Sequence, residues 1–214
     1  MGTRSGGIKM IAAVQAGGRS RRMGRDKALI ELRGKPLIEY VLAAAKPVAD
    51  RLLIVTNEST ATPEAYQRLA ARWGADLRFD IQSGCGPLGG IETSLLACEP
   101  DESALVLACD LPFLSAEFLG ILQRRHQESG AVITVPLSRD LRVQPLVAIY
   151  TPRCLPAVKT RIERGLLRVD LLFDEVPTCR VQYQEYRHVT GSERLFVNLN
   201  TAVDLQLASA DNPA

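Results

Sequence analysis

The chain is predicted to be α/β, with a mostly parallel central sheet, on three observations. Short β-rich runs alternate with longer segments of helical periodicity. The runs Leu52–Val55 and Ala104–Cys109 are almost continuously apolar, as in strands covered by helices on both faces. No internal repeat or low-complexity tract breaks the alternation.

In chain order, the candidate strands are Met10–Val14, Leu52–Thr56, Leu77–Phe79, Ala104–Cys109, Ala131–Val135, Leu146–Tyr150 and Leu195–Asn198. Helices are expected between them. Pro36 suits the first turn of a helix to about Lys46, Pro63 opens one to about Trp73, and Pro87 one to about Cys98. Ser115 reads as the N-cap of a helix to about Glu128. With 214 residues and no sharp change in composition, one domain over residues 8–207 is expected, with tails at 1–7 and 208–214.

A net charge of +2 with 23% charged residues gives no global pull toward a polyanion or a membrane. No apolar run is long enough to span a bilayer, and the polar, Gly-rich start lacks the centre of a secretion signal, so a cytoplasmic location is expected. Five scattered cysteines show no metal-binding or disulfide spacing and read as reduced, mostly buried thiols.

The densest chemistry lies in Gln15–Lys27, where three glycines and five cations (Arg19, Arg21, Arg22, Arg25, Lys27) follow an apolar strand. Gly17 and Gly18 let backbone N–H groups approach a ligand, while the cations supply charge-assisted donors to a phosphate chain. Neither a P-loop ending nor a Gly-x-Gly-x-x-Gly spacing is present, which argues against P-loop NTPases and NAD enzymes. The cluster is short and contains no aromatic residue, unlike a nucleic-acid surface.

In a parallel sheet, ligands collect at the C-terminal strand ends. Asp110 follows the run Ala104–Cys109 and suits a hard cation shared with phosphates, although a turn aspartate before Pro112 has the same local pattern. Asp80 follows another strand and could accept from sugar hydroxyls; Gly86, Pro87 and Leu88 begin a Gly-Pro turn where backbone groups could pass a base.

Together these motifs resemble the molybdenum cofactor guanylyltransferases of the nucleotidyltransferase superfamily. The family's first strand leads into Leu-Ala-Gly-Gly-x-Ser-x-Arg-Met-Gly-x-Asp-Lys, with Gln15 here in place of that leucine. The match continues through Gly34-Lys35-Pro36-Leu37-Ile38, Gly86–Ile91, Cys109–Leu114, Gln144-Pro145-Leu146 and Asn198-Leu199-Asn200-Thr201.

The resemblance implies a Rossmann-like three-layer domain of the nucleotide-diphospho-sugar-transferase type. It implies transfer of GMP from GTP to the terminal phosphate of molybdopterin, with Mg²⁺ and release of pyrophosphate. It places nucleotide contacts on Gln15, Ala16, Gly17, Gly18, Lys27, Asn57, Asp80, Gly86, Pro87, Leu88 and Asp110. Lys27, Asp110 and Arg22 would be the catalytic residues, with the metal on Asp110. Asn57 is the strand-end asparagine candidate because Val55 stands where some members carry a contacting asparagine. Asn198 and Asn200 would line the pterin side, where turn and capping roles are equally consistent.

Transient contacts with cofactor-insertion proteins and molybdoenzymes are implied, but no nucleic-acid or membrane partner. The attacking phosphate monoester has a second pKa of about 6 and needs no general base, so His126 and His188 read as surface or packing residues. The alternatives are a CTP-dependent molybdopterin cytidylyltransferase, a sugar-phosphate nucleotidyltransferase, or a nucleotide-binding regulator without turnover. Gln15 is expected to act through its backbone, leaving Gln15→Leu with about the parent's affinity for GTP.

Overall fold

A computed structural model of the chain describes residues 8–16, 26–57, 62–82, 84–199, 204–206 and 208. Its centre is a seven-stranded sheet. In chain order the elements are β1 (Lys9–Gln15), the two-residue β2 (Glu31–Leu32) and β3 (Lys35–Pro36), α1 (Leu37–Ala45), β4 (Arg51–Thr56), α2 (Pro63–Trp73) and β5 (Ala75–Phe79). There follow α3 (Pro87–Leu96), β6 (Glu102–Ala108), α4 (Ala116–Ser129), β7 (Ile133–Pro136), β8 (Val147–Tyr150), α5 (Leu155–Glu163), β9 (Thr178–Val181) and α6 (Tyr183–Tyr186).

The sheet order is β5-β4-β1-β6-β8-β7-β9. Strands β5, β4, β1 and β6 run parallel, whereas β8 lies antiparallel to both β6 and β7, and β9 runs parallel to β7. Alternation along β1 explains the three layers. Met10, Ala12 and Val14 join Ile38, Tyr66, Phe118 and Leu122 on one face. Ile11 and Ala13 join Leu88, Ile91, Val158 and Phe173 on the other. Both faces are covered, which is why the central strands read as unbroken apolar runs.

The expected helices begin where caps and prolines indicate. Pro63 and Pro87 open α2 and α3, and the Ser115 hydroxyl accepts from the Phe118 N–H at the start of α4. Pro36 instead pairs in β3 and caps α1 from outside. One expected strand is corrected. Ser192–Arg194 forms a 3₁₀ turn and no strand spans 195–198; the Val197 N–H turns back to the Arg194 carbonyl. The apolar signal there reflects burial, since Phe196 packs edge-on against Phe118 and Leu195 is fully enclosed. Of the cysteines, only Cys109 and Cys154 are buried; Cys85, Cys98 and Cys179 are half-buried, and all five are free.

Candidate active site at the strand ends

Backbone hydrogen bonds extend the sheet to its C-terminal rim. Ala16 N–H donates to the Val55 carbonyl (2.8 Å), Asp80 N–H to Thr56 (2.7 Å), and Cys109 N–H to Gln15 (3.2 Å). The ends of β1, β4, β5 and β6 are thereby held side by side, and Gln15, Ala16, Asn57, Asp80 and Asp110 meet along one edge. A separate cavity of about 270 Å³, lined by Asp50, Arg51, Trp73 and Asp76, lies at the opposite, N-terminal end of β4.

Lys27 and Asp110 form an ion pair on this rim. Their side chains are 14% and 18% exposed, so the pair is shielded yet open enough for a ligand to reach it. Lys27 is held by the residue before it. Asp26 accepts from the Ala28 N–H (3.2 Å), and the hydroxyl of fully buried Tyr66 donates to both carboxylate oxygens of Asp26 at 2.9 Å. Burial, reinforced by the neighbouring Asp26 charge, pushes the Tyr66 phenol well above its ordinary range, so the hydroxyl keeps the proton it donates.

The Asp110 backbone is tied to the C-terminal segment, because the Leu199 N–H donates to its carbonyl at 3.3 Å. This brings exposed Asn198 beside the rim. Cys109, immediately before Asp110, is buried and its thiol is pushed up by desolvation and by the Asp110 charge, which keeps it out of nucleophilic chemistry.

The first turn of α3 forms the other wall. Gly86 is its N-cap at φ +58, ψ −144, a conformation open to glycine, and it offers no side chain to the helix N–H groups. A Cβ at Gly89 would stand 2.6 Å from Asp80 Oδ1, and one at Gly90 would stand 2.5 Å from the Gln15 amide carbon. The two glycines thus admit Asp80 and Gln15 against the turn. Burial raises the Asp80 carboxyl above its ordinary value, while the Gln82 N–H draws it down. Leu88 is fully buried in the core, whereas Gly86 and Pro87 before it are exposed.

Gly17, Gly18 and Arg22, with the rest of 17–25, and Asn200 lie outside the described residues. The neighbours of that loop, Ala16 and Asp26, are both described. Sequence reasoning missed Tyr66 as the anchor of Asp26; a tyrosine in an amphipathic helix carries no signal beyond core packing.

The donor set suits a hard divalent cation that arrives with its ligand. One strand-end carboxylate is too little for an all-protein cage, and among the described residues no group of three His, Cys, Asp or Glu side chains could hold a metal. One carboxylate plus phosphate oxygens is the usual provision for Mg²⁺. No helix among the described residues is long and apolar enough to cross a membrane.

Comparisons with known proteins show the family and the fold. The family profile described as the MobA-like NTP transferase domain matches residues 12–176. The chain is 32% identical over 194 residues to a probable molybdenum cofactor guanylyltransferase of Flavobacterium johnsoniae, covering 90% of this chain and 92% of that one. It is 33% identical over 193 residues to the molybdenum cofactor guanylyltransferase of Vibrio parahaemolyticus, covering 90% and 91%. Among solved structures, molybdopterin-guanine dinucleotide biosynthesis protein A of Archaeoglobus fulgidus superposes with a TM-score of 0.78 at 26% identity, over 94% of this chain and 97% of that one.

Proposed function

The chain belongs to the MobA-like NTP transferases, among the molybdenum cofactor guanylyltransferases, and we propose that its rim transfers GMP from GTP to the terminal phosphate of molybdopterin. The observation that carries the site assignment is the Lys27–Asp110 pair between the ends of β1 and β6. A polyphosphate arriving with its cation offers each member a new partner of opposite charge. Lys27 is then a point charge for the phosphates, and Asp110 is the residue that would hold Mg²⁺. When bound, that ion supplies charge neutralisation at the phosphates.

The remaining work is positioning. The acceptor phosphate, with a second pKa of about 6, is largely dianionic at neutral pH and attacks without a general base. Lys27, held through Asp26 and Tyr66, faces the charge that develops on the α-phosphate and on departing pyrophosphate. Asp80 and the Gly86-Pro87-Leu88 backbone hold the nucleoside end. Arg22, Gly17 and Gly18 belong to the proposed phosphate loop, and Asn198 and Asn200 to the acceptor side.

Pyrophosphate release from GTP and molybdopterin with Mg²⁺ tests the reading. Asp110→Ala is expected to lose at least about a hundredfold in rate while keeping its fold. A fully active Asp110→Ala protein would exclude the proposed role of this carboxylate. Turnover of CTP in preference to GTP would reassign the donor, and tight GTP binding without pyrophosphate release would mark a regulator.

A further inference from the structure

We propose that Gln15 is a positioning residue for the nucleotide: its carboxamide fastens the first turn of α3 to the end of β1 and so sets the Gly86-Pro87-Leu88 backbone against the base. This deepens the guanylyltransferase reading and rests on it. Gln15 ends β1, and strand alternation turns its side chain toward the layer where Ile11 and Ala13 pack with Leu88 and Ile91 of α3. It is only 9% exposed there, a position that a carboxamide occupies at a cost unless its polar atoms are met. Its Nε2 donates to the Pro87 carbonyl at 3.5 Å, bridging segments 72 residues apart.

The contact with Gly90 shows how close the approach is. A Cβ at that position would fall 2.5–2.7 Å from the carbon, nitrogen and oxygen of the Gln15 amide, so a side chain there would displace the carboxamide. Asp80 makes the equivalent approach at Gly89. The turn is gripped from two strand ends at consecutive glycines. Its leading N–H groups have no partner within the helix, and Gly86 gives them no side-chain cap. Whatever holds the turn therefore sets where those groups point. Leucine at position 15 would fill similar space but has no donor for Pro87, so the turn would lose its polar tie to β1 while Leu88 and Ile91 keep the helix packed. The side chain, and not the backbone alone, thus contributes to the site.

Calorimetric titration of the full chain and Gln15→Leu with GTP, CTP and inorganic tripolyphosphate, each with Mg²⁺, tests this, alongside thermal midpoints. Gln15→Leu is expected to keep the parent's midpoint and tripolyphosphate affinity. GTP should bind about threefold more weakly, the loss of one long anchoring hydrogen bond, and its advantage over CTP should narrow. Equal GTP affinity in parent and variant, or equal losses for GTP and tripolyphosphate, would overturn the inference. Gly90→Ala, which displaces the carboxamide without removing it, provides an independent second variant. The same selective loss of GTP affinity is expected, and a parent-like affinity overturns the inference even if Gln15→Leu folds poorly. A parent that binds tripolyphosphate but no nucleotide overturns both the inference and the reading beneath it.

Discussion

Lys27 shows how a side chain's chemistry can be legible while its support is not. Its charge beside a Gly-rich run makes it a candidate phosphate ligand, but nothing local indicates that Tyr66, 40 residues beyond Asp26, holds that aspartate through two hydrogen bonds. Asp110 was legible for a different reason: an apolar strand that stops at an acid places the acid at the rim. His126 illustrates a polar residue with a packing role. It is 1% exposed, Nδ1 lies 2.9 Å from the Thr134 hydroxyl, and Nε2 is buried with no hydrogen-bond partner among the described residues. Burial lowers its pKa below the ordinary value of 6.5, so the folded state favours the neutral ring. The unfolded chain takes up a proton first as the pH falls. The stability contribution is therefore full above about pH 6.5 and declines below it toward the folded pKa, by at most about 1.4 kcal/mol per pH unit. Urea midpoints from pH 7.5 to 5 should fall more steeply for the parent than for His126→Gln; parallel curves would remove His126 as the cause.

Among the elements, α3 carries the closest link between helix chemistry and the site. Its sequence announces it through Gly86 and Pro87, and the second glycine pair reads only as a weak helix. The structure supplies the reason for that weakness, because each glycine makes room for a polar side chain. Gly89→Ala should therefore separate stability from binding. Alanine improves helix propensity by up to about 1 kcal/mol, whereas its Cβ would meet Asp80 and force the carboxylate away. Midpoints in urea are expected to hold or rise slightly while calorimetric GTP affinity falls; unchanged affinity would detach Asp80 from the nucleotide. The elements hidden from sequence share a physical cause. Strand β9 is half-exposed at a sheet edge and the β2–β3 pair is two residues long, so neither has a strong period. Leu195 and Phe196 show the converse, where buried apolar residues imitate a strand in a segment without one.

At the scale of the molecule, one hydrogen-bonded rim joins the strand that ends at Gln15, the strand that precedes Asp80 and the strand that leads to Asp110. The alternating pattern made the parallel half of the sheet legible, whereas the reversal at β8 depends on pairings that no local period encodes. Because three of the rim's four strands, β4, β1 and β6, lie inside the sheet, a ligand that bridges it stabilises the part of the fold whose loss is global unfolding. GTP with Mg²⁺ at a hundred times its dissociation constant should add about 2.7 kcal/mol. For a chain of this length, that is a rise of about 5–10 °C in thermal midpoint. Chelating the metal should remove much of the rise, since Asp110 without its cation repels the phosphates that Lys27 attracts. Asp110→Ala should stay folded without ligand, at a midpoint somewhat below the parent's because a partly shielded ion pair is broken. With GTP and Mg²⁺ it should gain far less than the parent. A variant stabilised as fully as the parent would mean that the nucleotide is held without Asp110, and the rim would then bind without the arrangement proposed for transfer.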